Sequence, residues 1–152
     1  MPVLETANFG NVQFTPESVL EFPRGLPGFE ERRQFVPVQN PQTAPVMFLQ
    51  SLEEPSLCFV TLPVLVVDPQ YRLRMTDQDL ETLLWQVERQ PRIGQDVLCL
   101  AVLSFQKSGP TANLLAPVVV DLNNHRAVQA VAAEPVYPLQ HPLFPQEAPP
   151  CS

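Results

Sequence analysis

Nineteen prolines stand against five glycines in this chain of 152 residues, and that imbalance limits the fold more than any other feature. Proline fixes φ, has no N–H to donate and breaks helix interiors. In a sheet it fits only edges, strand starts and bulges. The prolines are spread along the chain, so long helices are excluded and many short elements with stiff connections are expected. One segment escapes. In TDQDLETLLWQV, Leu80, Leu83, Leu84 and Val87 fall at i, i+3, i+4 and i+7 and form a single apolar stripe. Thr76 or Asp77 can cap it, acids fill its first turn, and Pro91 stops it. A helix is expected over about 77–88, laid on a sheet by its narrow stripe.

Strand signals fill the rest. VLET (3–6) and VQF (12–14) flank a turn at Asn8–Asn11, and VLEF follows. QFVPV is an edge-like strand broken by Pro37. VMFLQSL (46–52) and LCFVTL (57–62) read as a hairpin around EEPS, and VLVVD (64–68) comes next in the series. VLCLAVLSF (97–105) is apolar at both parities, which predicts a central strand buried on both faces. TANLLAP (111–117) and VVVDL (118–122) give two more segments. The turn NNHR then favours a hairpin with AVQAVAA over a helix there. The expected fold is mostly β: a compact, antiparallel, barrel-like single domain over 1–143 with one short helix. Residues 144–152 form a proline-rich tail expected to fray.

Charge narrows the function. Sixteen acidic and nine basic side chains leave a net charge of −7, against the basic face that direct nucleic-acid binding needs. A charged partner would be basic. No apolar run reaches the length of a membrane span, and the start MPVLETANFG has no signal-peptide pattern, so a cytoplasmic location is expected. Cys58 and Cys99 lie in apolar runs typical of inert core thiols. Cys151, beside the C-terminus, is expected to be exposed, and no cysteine spacing suggests zinc.

The stretch FPRGLPGFEERRQF (22–35) holds Gly25 and Gly28 beside Pro23 and Pro27. Leu26-Pro27-Gly28-Phe29 has proline at the second and glycine at the third position of a type II turn. A phosphate loop would need more glycine and a Lys-Ser/Thr pair opening a helix, so a structural turn is the reading. No catalytic constellation stands out. His125 lies in a turn, His141 in a proline-rich stretch, and there is no nucleophile elbow. Asp77, Asp79 and Glu81 do not share one helix face and lack the glycine of a calcium loop, so capping and solvation explain them better than metal binding. Phe48, Tyr71 and Trp85 are candidate anchors, with core packing favoured for Trp85. Gln50, inside an apolar strand, must be hydrogen-bonded if buried. No enzymatic activity and no cofactor are expected.

Five stretches together carry a resemblance: GLPGF (25–29), LQSLEEPSLCFV (49–60), DPQYRLRMTDQDL (68–80), TANLLAPVVV (111–120) and YPLQHPL (137–143). In order and spacing they resemble the flagellar assembly factor FliW family, over roughly residues 3–143. The resemblance implies a non-enzymatic binding protein, monomeric when free. It would bind CsrA, a small dimeric RNA-binding translational repressor, antagonising it allosterically, and would also bind flagellin, so that flagellin level sets flagellin translation. Two alternatives stay open: a flagellin-binding chaperone without control of CsrA, and an unrelated small β-barrel that binds a ligand.

Charge complementarity and closeness in sequence nominate Glu53, Glu54, Asp68, Tyr71, Asp77 and Asp79 for the partner surface. Gly25, Pro27, Gly28, Phe29, Gln50 and Asn113 are assigned to the structural motifs. The chain departs from the family pattern at Ala127, where glycine is common, and at Gln140, where arginine is usual, while Gln129 is kept.

Overall fold

Two antiparallel ladders organise the chain in a computed structural model, which describes residues 2–7, 9–86, 89–131 and 137–143. The proposed tail at 144–152 and the last two positions of the expected helix, Val87 and Glu88, lie outside the described residues. The first ladder pairs β1 (Val3–Thr6) with β2 (Gly10–Gln13). It lies against the main sheet: the Ala7 N–H donates to the Pro55 carbonyl at 2.9 Å, and Phe9 meets Phe48 edge-on.

The main sheet has eight strands. They are β3 (Leu20–Glu21), β4 (Gln34–Gln39), β5 (Met47–Ser51), β6 (Cys58–Pro63), β7 (Val97–Gln106), β8 (Gly109–Asp121), β9 (Ala127–Gln129) and β10 (His141–Pro142). Its order is β10-β8-β7-β6-β5-β4-β3, with β9 also on β8, and every pairing between these strands is antiparallel. The sheet nearly closes into a barrel. Glu21 at the β3 end bridges to Arg126 just before β9, and the Glu21 N–H donates to the His125 carbonyl at 2.9 Å. Pro37 pairs with Leu49 beyond the reach of β3, which covers only Gln34 and Phe35. Its missing N–H therefore faces no strand on that side.

β7 is covered on both faces from Val97 to Leu103, but not over the whole of 97–105 as its apolarity predicts: Ser104 and Phe105 are exposed, because β6 pairs with β7 only as far as Val102. Val97, Cys99 and Ala101 enter one core with Tyr71, Leu80, Leu83, Leu114 and Val119. Leu100, with Leu98 and Val102 beside it, enters a second core with Phe22, Phe35, Leu49 and Val118. Phe22 and Phe35 are fully buried and meet edge-to-face. Each buried aromatic of this kind stabilises the fold by about 1.5–3 kcal/mol.

Three expectations need correction. Val64–Val67 is not another strand but one helical turn, α1. Pro63 ends β6, and the Asp68 N–H closes the turn on the Val64 carbonyl at 2.8 Å. The fold thus carries a second helix besides the expected one. The expected helix is α2, Asp77–Thr82, capped by Thr76, one of the two caps its sequence offers, but ending well short of residue 88. Leu84 takes φ 65°, and the Trp85 N–H reaches back to the Leu80 carbonyl while the Leu84 N–H reaches Glu81, a Schellman stop without its usual glycine. The turn before β9 supplies the reason. Asn124 Nδ2 and Arg126 Nε donate to the carbonyls of Leu83 and Thr82, and the Trp85 indole N–H donates to Asp121. Finally, residues 111–122 do not form two strand segments. Residues up to Asp121 belong to the single strand β8, whose register slips between Leu100↔Val118 and Val102↔Asn113.

Candidate protein-binding surface

The Gly-Pro turn is built as its sequence demands. The Phe29 N–H donates to the Leu26 carbonyl at 2.7 Å, and Gly28 takes φ 84°, the positive value required at that position. Gly25 is more constrained. Its φ is 63°, and a Cβ there would sit 2.5 Å from the Glu30 Cα. The loop folds back on itself so tightly that only glycine fits. Pro27, Gly28 and Phe29 are presented to solvent, while Leu26 is buried beneath them.

Acids nominated for a partner hold this loop in place. Glu53 Oε1 accepts the N–H groups of Arg33 and Gln34 at 2.9 and 3.0 Å. Glu54 Oε2 lies 3.4 Å from Arg32 Nε. At the other end of the loop, Arg24 pairs with Asp79 on α2. The β5–β6 turn that carries Glu53 and Glu54 is itself fixed from inside. Ser51 Oγ accepts from both Glu53 and Glu54 N–H, and buried Gln50 donates through Nε2 to the Ser51 and Pro55 carbonyls. Gln50 is hydrogen-bonded as burial requires through its nitrogen, whereas no donor among the described residues meets its buried Oε1.

TANLLAP serves the slip in β8. Four residues, Leu114–Pro117, lie between the two registers, and the Leu114 to Pro117 backbone finds partners outside the ladder. Asn113 Oδ1 accepts from the Ala116 N–H at 2.9 Å, and Gln129 Nε2 donates to the Ala116 carbonyl at 3.0 Å. The Tyr71 hydroxyl donates to Leu114 O at 2.8 Å, the Leu114 N–H donates to Pro138 O, and Ala130 N–H donates to Pro117 O. Bulges of this kind re-aim a strand and end its pairing.

Turn and bulge face each other across a groove of about 380 Å³ lined by Leu26, Pro27, Phe59, Val102, Asn113 and Ala116, with Gln129 and Val131 completing it. The same loop also borders a second concavity of about 300 Å³, lined by Gly28, Phe29 and the acids Glu30, Glu31 and Glu54 around Arg32. An apolar groove and an acidic hollow thus border one rigid loop. Both depressions are open rather than enclosed, which suits a protein surface better than a small substrate.

The structure divides the nominated residues. Glu53, Glu54 and Asp79 gather around the turn loop. Tyr71 and Asp79 are buried, which removes both from any surface patch. Asp68 stays beside Tyr71, where its Oδ1 accepts the Gln70 N–H. Asp77 is exposed at the start of α2. Sequence reasoning missed Arg24, Phe59 and Val131. Their signal was long-range only, since nothing local marks Arg24 as the partner of Asp79 or puts Phe59 against Phe29, 5.5 Å between ring centroids. Burial pushes half-buried Cys58 up to about 11 and buried Cys99 up to about 12, so neither of these two thiols is poised as a thiolate near neutral pH.

Comparison with known proteins agrees with this architecture. The family model described as FliW protein matches residues 3–143. A flagellar assembly factor FliW of Desulfitobacterium hafniense is 30% identical over 143 residues, 94% of this chain and 91% of that protein. That of Pseudothermotoga lettingae is 36% identical over 142 residues, 87% of this chain and 82% of that protein. A solved crystal structure of the flagellar assembly factor FliW superposes with a TM-score of 0.83 at 30% identity, covering 97% of this chain and all 100% of the other.

Proposed function

This chain belongs to the FliW family of flagellar assembly factors, and from that premise we propose that it works by binding alone, as a switch between two protein partners. In this reading it binds the translational repressor CsrA and lowers its hold on RNA from a distance, without occupying the RNA site. Flagellin competes for it, so flagellin in excess releases CsrA to repress. The protein acts in the cytoplasm, where both partners are made, and performs no chemical step.

One observation supports the reading most: a loop fixed at both ends by Asp79, Glu53 and Glu54, bordering both an acidic hollow and an apolar groove. Two unlike depressions beside one rigid element suit partners of unlike chemistry. A net charge of −7 favours encounter with a basic protein and makes that encounter sensitive to salt. Mutually exclusive complexes with different affinities are all that the switch requires. Calorimetric titration with CsrA and flagellin of the same source, first separately and then in competition, tests it. Displacement of CsrA by flagellin is the expected result. Binding of flagellin alone would make the protein a chaperone without translational control, and binding of neither would end the reading.

A further inference from the structure

The main sheet has a seam. β6 and β7 pair only at Thr61↔Val102, Leu62↔Ala101 and Pro63↔Leu100. Beyond Val102, β7 runs on to Gln106 with β8 as its partner, and β6 runs back to Cys58 with β5 as its partner. Among the described residues, no strand pairs with β7 from Ser104 to Gln106 on the β6 side. The hairpin geometry says which backbone groups are left. Lys107 and Ser108 form the two-residue turn, so Gln106↔Gly109 and Ser104↔Thr111 are the hydrogen-bonded pairs, with Phe105↔Pro110 between them. The Phe105 N–H and C=O therefore point into the seam, and no backbone partner meets them there among the described residues. The Phe105 side chain is 68% exposed. Phe59 and Val102, which flank the seam, also line the apolar groove.

We propose that this seam is a strand-addition site, in which an extended segment of a protein partner pairs with the β7 edge at Phe105 and sets alternate apolar side chains against Phe105 and into the groove at Phe59 and Val102. An interrupted ladder selects the occupant's backbone, because only an extended chain supplies N–H and C=O groups at the ladder spacing. Its side chains are selected by the apolar lining. The edge residues Ser104, Phe105 and Gln106 carry no carboxylate, and Lys107 follows them, so nothing there attracts a basic protein. This inference rests on the proposed partner switch, and of its two partners it assigns the seam to flagellin.

Hydrogen–deuterium exchange of the full chain with and without purified flagellin tests the assignment. Added flagellin is expected to protect the Phe105 amide. Phe105→Pro removes that N–H but no bond to β8, and should weaken flagellin binding about ten-fold, on the scale of a lost strand pair. Phe105→Thr keeps the N–H and should retain more affinity than the proline variant. Flagellin binding without protection at Phe105 would overturn the seam as its site while leaving the switch intact. If wild-type protein binds no flagellin, both readings fall. Protection that grows with the protein's own concentration would identify a second copy as the occupant and overturn the assignment to flagellin. Should Phe105→Pro fail to fold, the exchange measurement on the wild type still decides.

Discussion

The Tyr71 hydroxyl donates to the carbonyl of Leu114 at 2.8 Å, joining the segment after α1 to the point where β8 leaves its register. Tyr71 is buried and its ring stacks on Tyr137, 4.2 Å between centroids. Tyr71→Phe leaves the Leu114 carbonyl without that donor while keeping the packing. A loss of about 1–3 kcal/mol is expected, read as a lower midpoint in urea with an unchanged slope.

The same residue makes stability depend on alkaline pH. Burial, then the neighbouring Cys99, holds the Tyr71 phenol well above its ordinary value. The folded state therefore keeps a proton that the unfolded chain gives up. Its contribution is complete below the ordinary phenol range of about 10 and is lost as pH rises above it. Cys58 and Cys99, raised by burial to about 11 and about 12, act with the same sign from lower pH. Unfolding free energy measured from pH 8 upward should fall continuously in the wild type. In Tyr71→Phe the decline above pH 10 should be shallower.

Thiol reactivity offers a companion check. In a Cys151→Ser background, buried Cys99 should resist an aromatic disulfide reagent at pH 8 until denaturant is added, while half-buried Cys58 should react more slowly than a free thiol. Fast labelling of native Cys99 would contradict its burial.

Gly25 and Gly28 should separate under substitution. A methyl group added at Gly28 would enter open space, so Gly28→Ala meets only the strain of positive φ, about 1–2 kcal/mol. At Gly25 the added carbon would collide with the Glu30 backbone as well, and Gly25→Ala should cost more. Thermal melting of both variants orders them, and equal midpoints would refute the close approach.

Charge reversal separates acids that build the loop from acids that only colour the surface. Glu53→Lys removes the acceptor of two backbone N–H groups and should lower the melting temperature, while Glu53→Gln keeps an oxygen in place and should cost less. Asp79→Ala removes the partner of Arg24 and belongs with the destabilising group. The Glu31 side chain is 93% exposed, so Glu31→Lys should leave the melting temperature unchanged. In the proposed switch it slows association with CsrA at low salt, an effect that stopped-flow mixing at two ionic strengths would detect.

Local chemistry was legible in the sequence. Two-sided apolarity from Val97 to Leu103, turn residues at 26–29 and the fixed φ of Pro27 specified a central doubly covered strand and a tight reversal, whereas the short elements expected from proline spacing gave way to strands of 10 and 13 residues in β7 and β8. The covered strand and the reversal follow from forces that act within a few residues: fixed φ, side-chain parity, and the positive φ that glycine tolerates. The N-cap, Thr76 or its neighbour Asp77, was legible for the same reason. The end of α2 was not. Its apolar stripe continues past Thr82, but Asn124, Arg126 and Asp121, some forty residues away, capture its last carbonyls and Trp85. The acids divide in the same way. Sequence supplies their number and sign; folding decides that Asp79 turns inward to Arg24 and Glu53 caps a neighbouring loop, while Glu31 stays in water. A carboxylate goes wherever the nearest unpaired donors are, and where those donors lie depends on which strands have paired.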